Sequence, residues 1–456
     1  MQGIGRREFF KRAAGSGLAA PAFVKNLMSQ APSSKLRLAS FGADGMAYET
    51  LNAICGHPNA MLSCVAEVDQ VRTAKVKQKF PDAKIYSNWR EMLEKERKNI
   101  DMACVATPDH MHAPITMTAM RMGIPCYTQK PLTHDIYETR MLTEYAAKHN
   151  IVTQMGIQRH TCAEYKTAVM LIQSGVIGKI KEVHAWDYKT WGDATPFPDR
   201  SDPVPPTMDW DQWLGIAAER PFINGYYHPS EWRKRVDFGT ATFGDMGCHI
   251  YDPPFTALAL TSPTEVLSEG PTPNAHSWST DAIVHYTFPG TQYTDGKTVQ
   301  VTWTDGKERP PQEVQALIGT RRLPNEGSIF IGTEGVMLLP HTAVPILFPE
   351  EKFKDFKIVS TRSPSGLKVA WPGGSTEFTD HYFQFVDAVA GKGKTSAGFS
   401  YSGPLTESVL LGSVAVRFPK IKLAWNAGKL KFDGNAEASG WIKRKYRKGF
   451  TVEGLS

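Results

Sequence analysis

Short apolar runs alternate with helix-like stretches from about residue 35 to 155, and that alternation restricts the fold more than any other feature of the chain. LRLASFG (36–42), LSCVAEVD (62–69), IDMACVAT (100–107), IPCYTQKP (124–131) and IVTQMG (151–156) read as strands. GMAYETLNAICGH (45–57), QVRTAKVKQKF (70–80), IYSNWREMLEKE (85–96), APITMTAMRMG (113–123) and YETRMLTEYAAKHN (137–150) fall between them. Strands buried on both faces and joined by helices of this length demand crossover connections. The expectation is therefore a parallel sheet with helices on both faces, a doubly wound α/β domain of Rossmann type.

The pattern changes after residue 180. KEVHAWDYKT (181–190), TDAIVHYTFPG (280–290), KTVQVTWTDG (297–306) and GSIFIGTEGVMLL (327–339) alternate apolar and polar residues at period two. Such segments, separated by Gly, Asp and Pro, predict a largely antiparallel, open sheet with one wetted face. The Pro-rich stretch 195–210 predicts a loop. Long helices are expected at 244–260, 380–391 and 405–417. Residues 156–456 are thus read as a C-terminal α+β domain.

The formal charge of +6 misleads, because residues 1–30 carry Arg6, Arg7, Lys11, Arg12 and Lys25 against Glu8. The remainder is close to neutral and shows no basic stripe, which argues against a nucleic-acid partner. The same first 30 residues resemble a twin-arginine signal (R-R-x-F-x-K), with Ala20-Pro21-Ala22 as a cleavage site. Export to the periplasm is the expectation, and a cytoplasmic location follows if that leader does not function. No later run reaches about 18 apolar residues, so no membrane span is expected. Six cysteines without C-x-x-C spacing read as core thiols, and no metal site is expected.

The chemistry-bearing candidates gather where predicted parallel strands end, because open α/β sheets bind ligands there. The first such turn is Gly42-Ala43-Asp44-Gly45-Met46-Ala47. Against the dinucleotide fingerprint G-x-G-x-x-G/A, Gly42 makes the tight turn and Ala47 lets the helix approach the sheet. Asp44 stands where the middle glycine belongs, and its carboxylate would repel a pyrophosphate. Glu67, 25 residues beyond Gly42, suits a ribose 2′-hydroxyl and so favours NAD over NADP. Thr107, Pro108 and His112 lie at and just past the end of the strand 100–107, and Gln129 and Lys130 at the end of the strand 124–131. A lysine over a nicotinamide can stabilise the alkoxide that develops as hydride leaves a hydroxyl carbon.

Several segments in order make the chain resemble the Gfo/Idh/MocA (glucose-fructose oxidoreductase, inositol dehydrogenase, rhizopine catabolism) family. They are VATPDHMHA (105–113), Gln129-Lys130-Pro131 in place of E-K-P, MGIQRH (155–160), DWDQWLG (209–215), YHPSEWR (227–233) and GDMGCHIYD (244–252). The resemblance implies an NAD-dependent oxidoreductase with Lys130, Asp245 and His249 as catalytic residues. Spacing i to i+4 would let the Asp245 carboxylate orient the His249 imidazole, which would then take the hydroxyl proton. His160, Tyr227 and Trp232, with Asp245 and His249, are candidates to line a carbohydrate substrate. The resemblance also implies a homo-oligomer, dimer or tetramer, through the open sheet.

Export and a nicotinamide cofactor conflict unless the cofactor is loaded before export and regenerated in each cycle. The expectation is oxidation of a sugar or glycoside hydroxyl with a retained NAD. Two alternatives stand beside it: glycoside cleavage by oxidation and elimination, and a non-catalytic carbohydrate-binding protein in which Asp44 and Gln129 mark lost chemistry.

Overall fold

The computed structural model describes residues 35–356 and 379–456; the leader expected at 1–30 lies outside them. Six short strands form the first sheet: β1 (Leu36–Phe41), β2 (Ala60–Ala66), β3 (Lys84–Tyr86), β4 (Met102–Val105), β5 (Cys126–Gln129) and β6 (Thr153–Gly156). All pair in parallel, in the order β3-β2-β1-β4-β5-β6. The winding reverses between β1 and β4, which opens a crevice at their carboxyl ends. Gly42 and Thr107 face each other across it.

Helices α1 (Met46–Cys55), α2 (His112–Arg121) and α3 (Ile136–His149) connect these strands. Helix α3 starts sharply because Asp135 accepts a hydrogen bond from the Glu138 N–H at 2.8 Å while the Glu138 carboxylate faces the Asp135 N–H. Asn150, at φ 52°, ends it in the left-handed conformation. Beyond the first sheet come α4 (Ala163–Gln173) and, far along the chain, α5 (Thr379–Val389) and α6 (Phe399–Ala415). Tyr382, Phe385 and Val386 of α5 bury themselves with Leu38, Leu51 and Val65, so one face of the parallel sheet is closed by a segment more than 300 residues downstream of these partners. Helix α6 is buried almost all round and lies against α3. There Arg140 forks onto Glu407, with Nε and a terminal nitrogen at 3.1 and 2.8 Å.

The second sheet has nine strands: β7 (Ile180–Trp186), β8 (Glu265–Ser268), β9 (Ala282–Pro289), β10 (Thr298–Asp305), β11 (Gly327–Gly332), β12 (Val336–Pro340), β13 (Ile346–Phe348), β14 (Leu423–Asn426) and β15 (Lys431–Asp433). Their order is β13-β12-β11-β7-β10-β9-β8-β14-β15, antiparallel except where β7 meets β10. In β9 the period-two pattern buries Ala282, Val284, Tyr286 and Phe288 on one face.

One expected helix is not continuous. Residues 243–257 form a π-helical turn (Phe243–Gly247), a single α turn (Cys248–Ile250) and a short helix (Asp252–Ala257). Pro253 and Pro254 lack the N–H groups that would bond back across the junction, so the helix restarts there. The cysteines form no disulfide, and all but half-buried Cys55 are buried. Among the described residues no helix is long and apolar enough to cross a membrane.

Candidate active site

A cleft runs along the carboxyl ends of β1, β2, β4 and β5, roofed by the segment 212–233. At its floor Gly42 takes φ 103°, and a Cβ there would meet the Ala47 Cβ at 2.8 Å and the Ala106 carbonyl oxygen at 3.0 Å. Only glycine lets the turn pass under α1 and beside β4. Gly45, at φ 56°, has nothing within 4 Å of an added Cβ. That space lies beside the N-terminus of α1, whose dipole favours a pyrophosphate.

Asp44 does not leave an unpaired charge in this turn. Its carboxylate meets Lys75 Nζ at 2.8 Å and an Arg72 terminal nitrogen at 3.0 Å. Partial burial alone would raise its pKa; the bond from Lys75, the Gly45 N–H and the Arg72 charge outweigh that and lower it. Glu67 accepts from the Ala43 and Asp69 N–H groups, 3.0 Å each, so its two oxygens are oriented and keep lone pairs for a further donor. Thr107 Oγ1 is buried on the cleft wall without a partner. His112 spans the two ligand-facing turns, with Nδ1 2.7 Å from the Pro131 carbonyl and Nε2 2.8 Å from that of Thr107. Burial pushes its pKa down to about 4, so it is a neutral strut that donates to one of the two carbonyls.

Gln129 is buried, donating from Nε2 to Thr50 Oγ1 at 2.9 Å and accepting from the Lys130 N–H at 3.3 Å. A glutamate carboxylate could only accept at this contact, and the Thr50 hydroxyl here donates to the Met46 carbonyl instead. Gln129 rests against Gly156, where an added Cβ would come within 2.6 Å of the amide. The next residue carries the charge: Lys130 Nζ bonds the Asp245 carboxylate and the Asp245 carbonyl, each at 2.7 Å. Asp245 sits on the π-helical turn, and Gly244 makes this meeting possible. A Cβ at Gly244 would lie 1.8 Å from Thr240 Oγ1 and 2.8 Å from Pro131 Cγ, so the turn touches the loop that holds Lys130.

The expected Asp245–His249 hydrogen bond is not made. Asp245 is taken by Lys130, by the Trp191 indole N–H at 2.7 Å and by Arg233 Nε at 3.4 Å. Burial alone would raise its pKa, but the charges of Lys130 and Arg233 hold it well below the usual carboxylate range. Burial first, and then the Lys130 charge, push the His249 pKa far down. A neutral imidazole competes poorly with an ammonium for one carboxylate. His249 Nδ1 is buried without a partner, and its ring lies 5.8 Å from that of His341.

His249 is not among the groups that line the cleft, and two other candidates also stand away from it. Tyr227 is buried in an aromatic cluster with Trp210, Trp213 and Phe238, and is not among the cleft-lining groups. His160 lines a second cavity beside α4, its Nδ1 2.8 Å from Asp252. Trp232 does line the cleft. Sequence reasoning assigned no role to Trp191 or Arg233, since neither belongs to a local pattern that announces a contact with Asp245. Asp109 also enters the cleft, accepting from the Thr240 N–H and hydroxyl, with its pKa pushed up to about 6 by burial.

Residues 36–157 match the Gfo/Idh/MocA model described as an oxidoreductase family with an NAD-binding Rossmann fold, and 164–320 match that family's C-terminal alpha/beta domain. The chain belongs to the Gfo/Idh/MocA oxidoreductase family. Relatives include an inositol 2-dehydrogenase of Corynebacterium glutamicum, 26% identical over 150 residues, or 32% of this chain and 44% of that one. The scyllo-inositol 2-dehydrogenase (NAD(+)) of Bacillus subtilis is 27% identical over 132 residues, 29% and 38% of the two chains. The chain thus spans less than half the length of these relatives. Among solved structures, an oxidoreductase from Thermotoga maritima superposes with a TM-score of 0.58 at 15% identity, over 86% of this chain and 98% of that one. One from Agrobacterium radiobacter, in complex with NAD+, L-tartaric acid and magnesium, gives 0.56 at 13% identity, over 86% and 98%. At these identities the likeness is one of fold.

The dinucleotide of the Gfo/Idh/MocA family fits this cleft on its own geometry. Open space at Gly45, the unpartnered Thr107 hydroxyl and the oriented Glu67 carboxylate stand where a pyrophosphate and riboses need them. Glu67 would repel a 2′-phosphate, which favours NAD.

Proposed function

We propose that this protein oxidises a hydroxyl of a sugar or related polyol, with NAD held in the cleft as hydride acceptor. The carrying observation is Lys130, whose ammonium spends two of its three donors on Asp245 and keeps the third for a substrate oxygen. Lys130 would hold the hydroxyl and take up negative charge as its carbon loses hydride. His249 is not assigned the hydroxyl proton: it does not line the cleft, its Nδ1 is buried, and burial and the Lys130 charge push its pKa far down, which makes it a poor acceptor. Asp245 then holds Lys130 in place rather than His249. The relatives that are inositol dehydrogenases favour a polyol substrate class.

Retention of the cofactor through the cycle belongs to the same reading, and the roof of the cleft supports it. His228 donates from Nε2 to Asp69 at 3.2 Å and accepts from the Trp213 indole at 3.3 Å. The Asp209 N–H bonds the Val68 carbonyl, and the Gln70 N–H that of Thr207. The roof and the segment just before it are thereby tied to the end of β2, the adenosine side of the cleft, which supports retention of a bound dinucleotide. A twin-arginine leader, export to the periplasm and homo-oligomerisation through the nine-stranded sheet complete the proposal. The test is to purify the protein in cofactor-free buffer and identify any dinucleotide released on denaturation, then add sugars and read the reduced-nicotinamide absorbance. Absence of any dinucleotide, before or after titration with NAD, would reject the reading.

A further inference from the structure

Beside Lys130, which keeps one donor, Arg233 is a second cation of the cleft, and among the described residues it keeps both terminal nitrogens unused. Its Nε reaches Asp245 Oδ1 at 3.4 Å, the outer limit of a hydrogen bond, and its two terminal nitrogens donate to no acceptor among the described residues. The side chain lines the cleft and is 24% exposed. It is held in place all the same. The guanidinium carbon lies 4.3 Å from the Trp232 ring centre and 5.3 Å from that of Trp191, and the Trp191 indole is itself fixed on Asp245. The backbone is held as well, since a Cβ at Gly239 would stand 2.5 Å from the Arg233 Cα.

The charge balance points the same way. Lys130 and Arg233 share one oxygen of one carboxylate, and Lys130 has the shorter bond by 0.7 Å. Asp109, the other cleft acid close to Lys130 and Arg233, has Oδ2 occupied by Thr240. Water satisfies the Arg233 fork while the cleft is open. Once dinucleotide and substrate expel that water, unpaired guanidinium donors become costly, and the substrate must bring acceptors to them. A planar pair of N–H donors matches the edge of a carboxylate or phosphate far better than a lone hydroxyl.

We propose that the substrate is a carbohydrate bearing an oxyanion, carboxylate or phosphate, close to the hydroxyl that Lys130 addresses, and that Arg233 grips this group. The proposal rests on the dehydrogenase reading above and narrows its substrate to acidic sugars. Arg233 is then a specificity residue, distinct in role from Lys130.

The full chain, loaded with NAD, is titrated with D-galacturonate, D-glucose 6-phosphate and D-glucose, following both calorimetric binding and reduced-nicotinamide absorbance. At least one oxyanion-bearing probe should bind about 10- to 100-fold tighter than glucose, the range of a charge-assisted hydrogen bond or two. Tighter galacturonate assigns the group as a carboxylate, and tighter glucose 6-phosphate as a phosphate. R233Q should erase the preference while keeping NAD affinity, and R233K, which retains charge without the fork, should weaken it several-fold and serves if R233Q does not fold. Equal binding of glucose, a preference that survives both variants, or loss of NAD affinity in R233Q would overturn the proposal. Acid-selective binding that depends on Arg233, without reduction of the dinucleotide by any probe, would instead overturn the dehydrogenase reading and leave the subsite standing.

Discussion

Lys130 and Asp245, 115 residues apart in the chain, meet at 2.7 Å through both the side chain and the main-chain carbonyl of the aspartate. Two bonds from one ammonium join the parallel-sheet domain to the π-helical turn. The ammonium is thereby aimed, with one donor left over.

From this, K130A and D245N should keep the fold and the bound dinucleotide but lose turnover, by about 100-fold or more in kcat. In D245N the loss should sit in kcat more than in KM, since the lysine is still present but no longer aimed. Steady-state kinetics beside dinucleotide content measures both. Full activity in either variant would remove Lys130 or Asp245 from the reaction.

Gly244→Ala should mimic D245N without touching a charge. Its methyl group has to displace Thr240 and Pro131, pushing the Asp245 turn away from the Lys130 loop. Overpacking of this kind costs about 1–3 kcal/mol, and an offset of an ångström in a reacting pair costs about 100-fold in rate. Thermal unfolding and kcat report the two effects separately. A variant with normal activity would mean that the close approach is incidental.

How far the sequence reveals this site depends on whether its residues share a local pattern. Gly42, Gly45, Glu67, Thr107 and Lys130 are legible because each lies within four residues of the end of a strand whose period and flanks are plain, and strand ends converge in this fold. Asp245 is legible by spacing, but its partner is not. The i to i+4 pattern suggests His249, whereas a lysine contributed by a different strand takes the carboxylate because a full charge outcompetes a neutral ring. Trp191 and Arg233 carry no local signal, since only the tertiary path brings them to Asp245. Asp44 misleads for the same reason: its neutralising partners Arg72 and Lys75 lie in the next βα unit. The helix expected at 244–260 is read from apolar content, while Pro253 and Pro254 decide where it breaks.

His160 and Asp252 offer a pH test away from the cleft. Burial alone would lower the His160 pKa, but the Asp252 charge and hydrogen bond outweigh it, and the net shift is upward. A histidine raised on folding contributes stability that is fully present below its unfolded value of about 6.5 and lost as pH rises through the folded value. NMR titration of the imidazoles should find His160 protonated above the ordinary range, and D252N should drop it below. His249, lowered by burial and then by the Lys130 charge, should stay neutral through the ordinary histidine range. A His160 that titrates normally in the wild type would mean that the pair is not formed.

The Asp44 network decides whether an acid in the phosphate turn impairs dinucleotide binding. Lys75 and Arg72 hold it from one side at 2.8 and 3.0 Å, and the Arg72 side chain also borders the cleft. If the three groups act as a unit, D44N releases two cations toward the pyrophosphate and tightens NAD binding. R72A removes one of the two counter-charges, leaves Asp44 with Lys75 alone and weakens it. Ion pairs this exposed are worth about 0.2–1 kcal/mol, so each change should be about 2- to 5-fold in Kd. Both should shrink as salt is raised, because exposed charges are screened over about 10 Å at 0.1 M ionic strength. Opposite signs for D44N and R72A, converging at high salt, are the expected signature in a fluorescence titration with NADH. If D44N instead weakens binding, Asp44 contributes through its hydrogen bonds to the shape of the turn, and its charge is not what the cofactor senses.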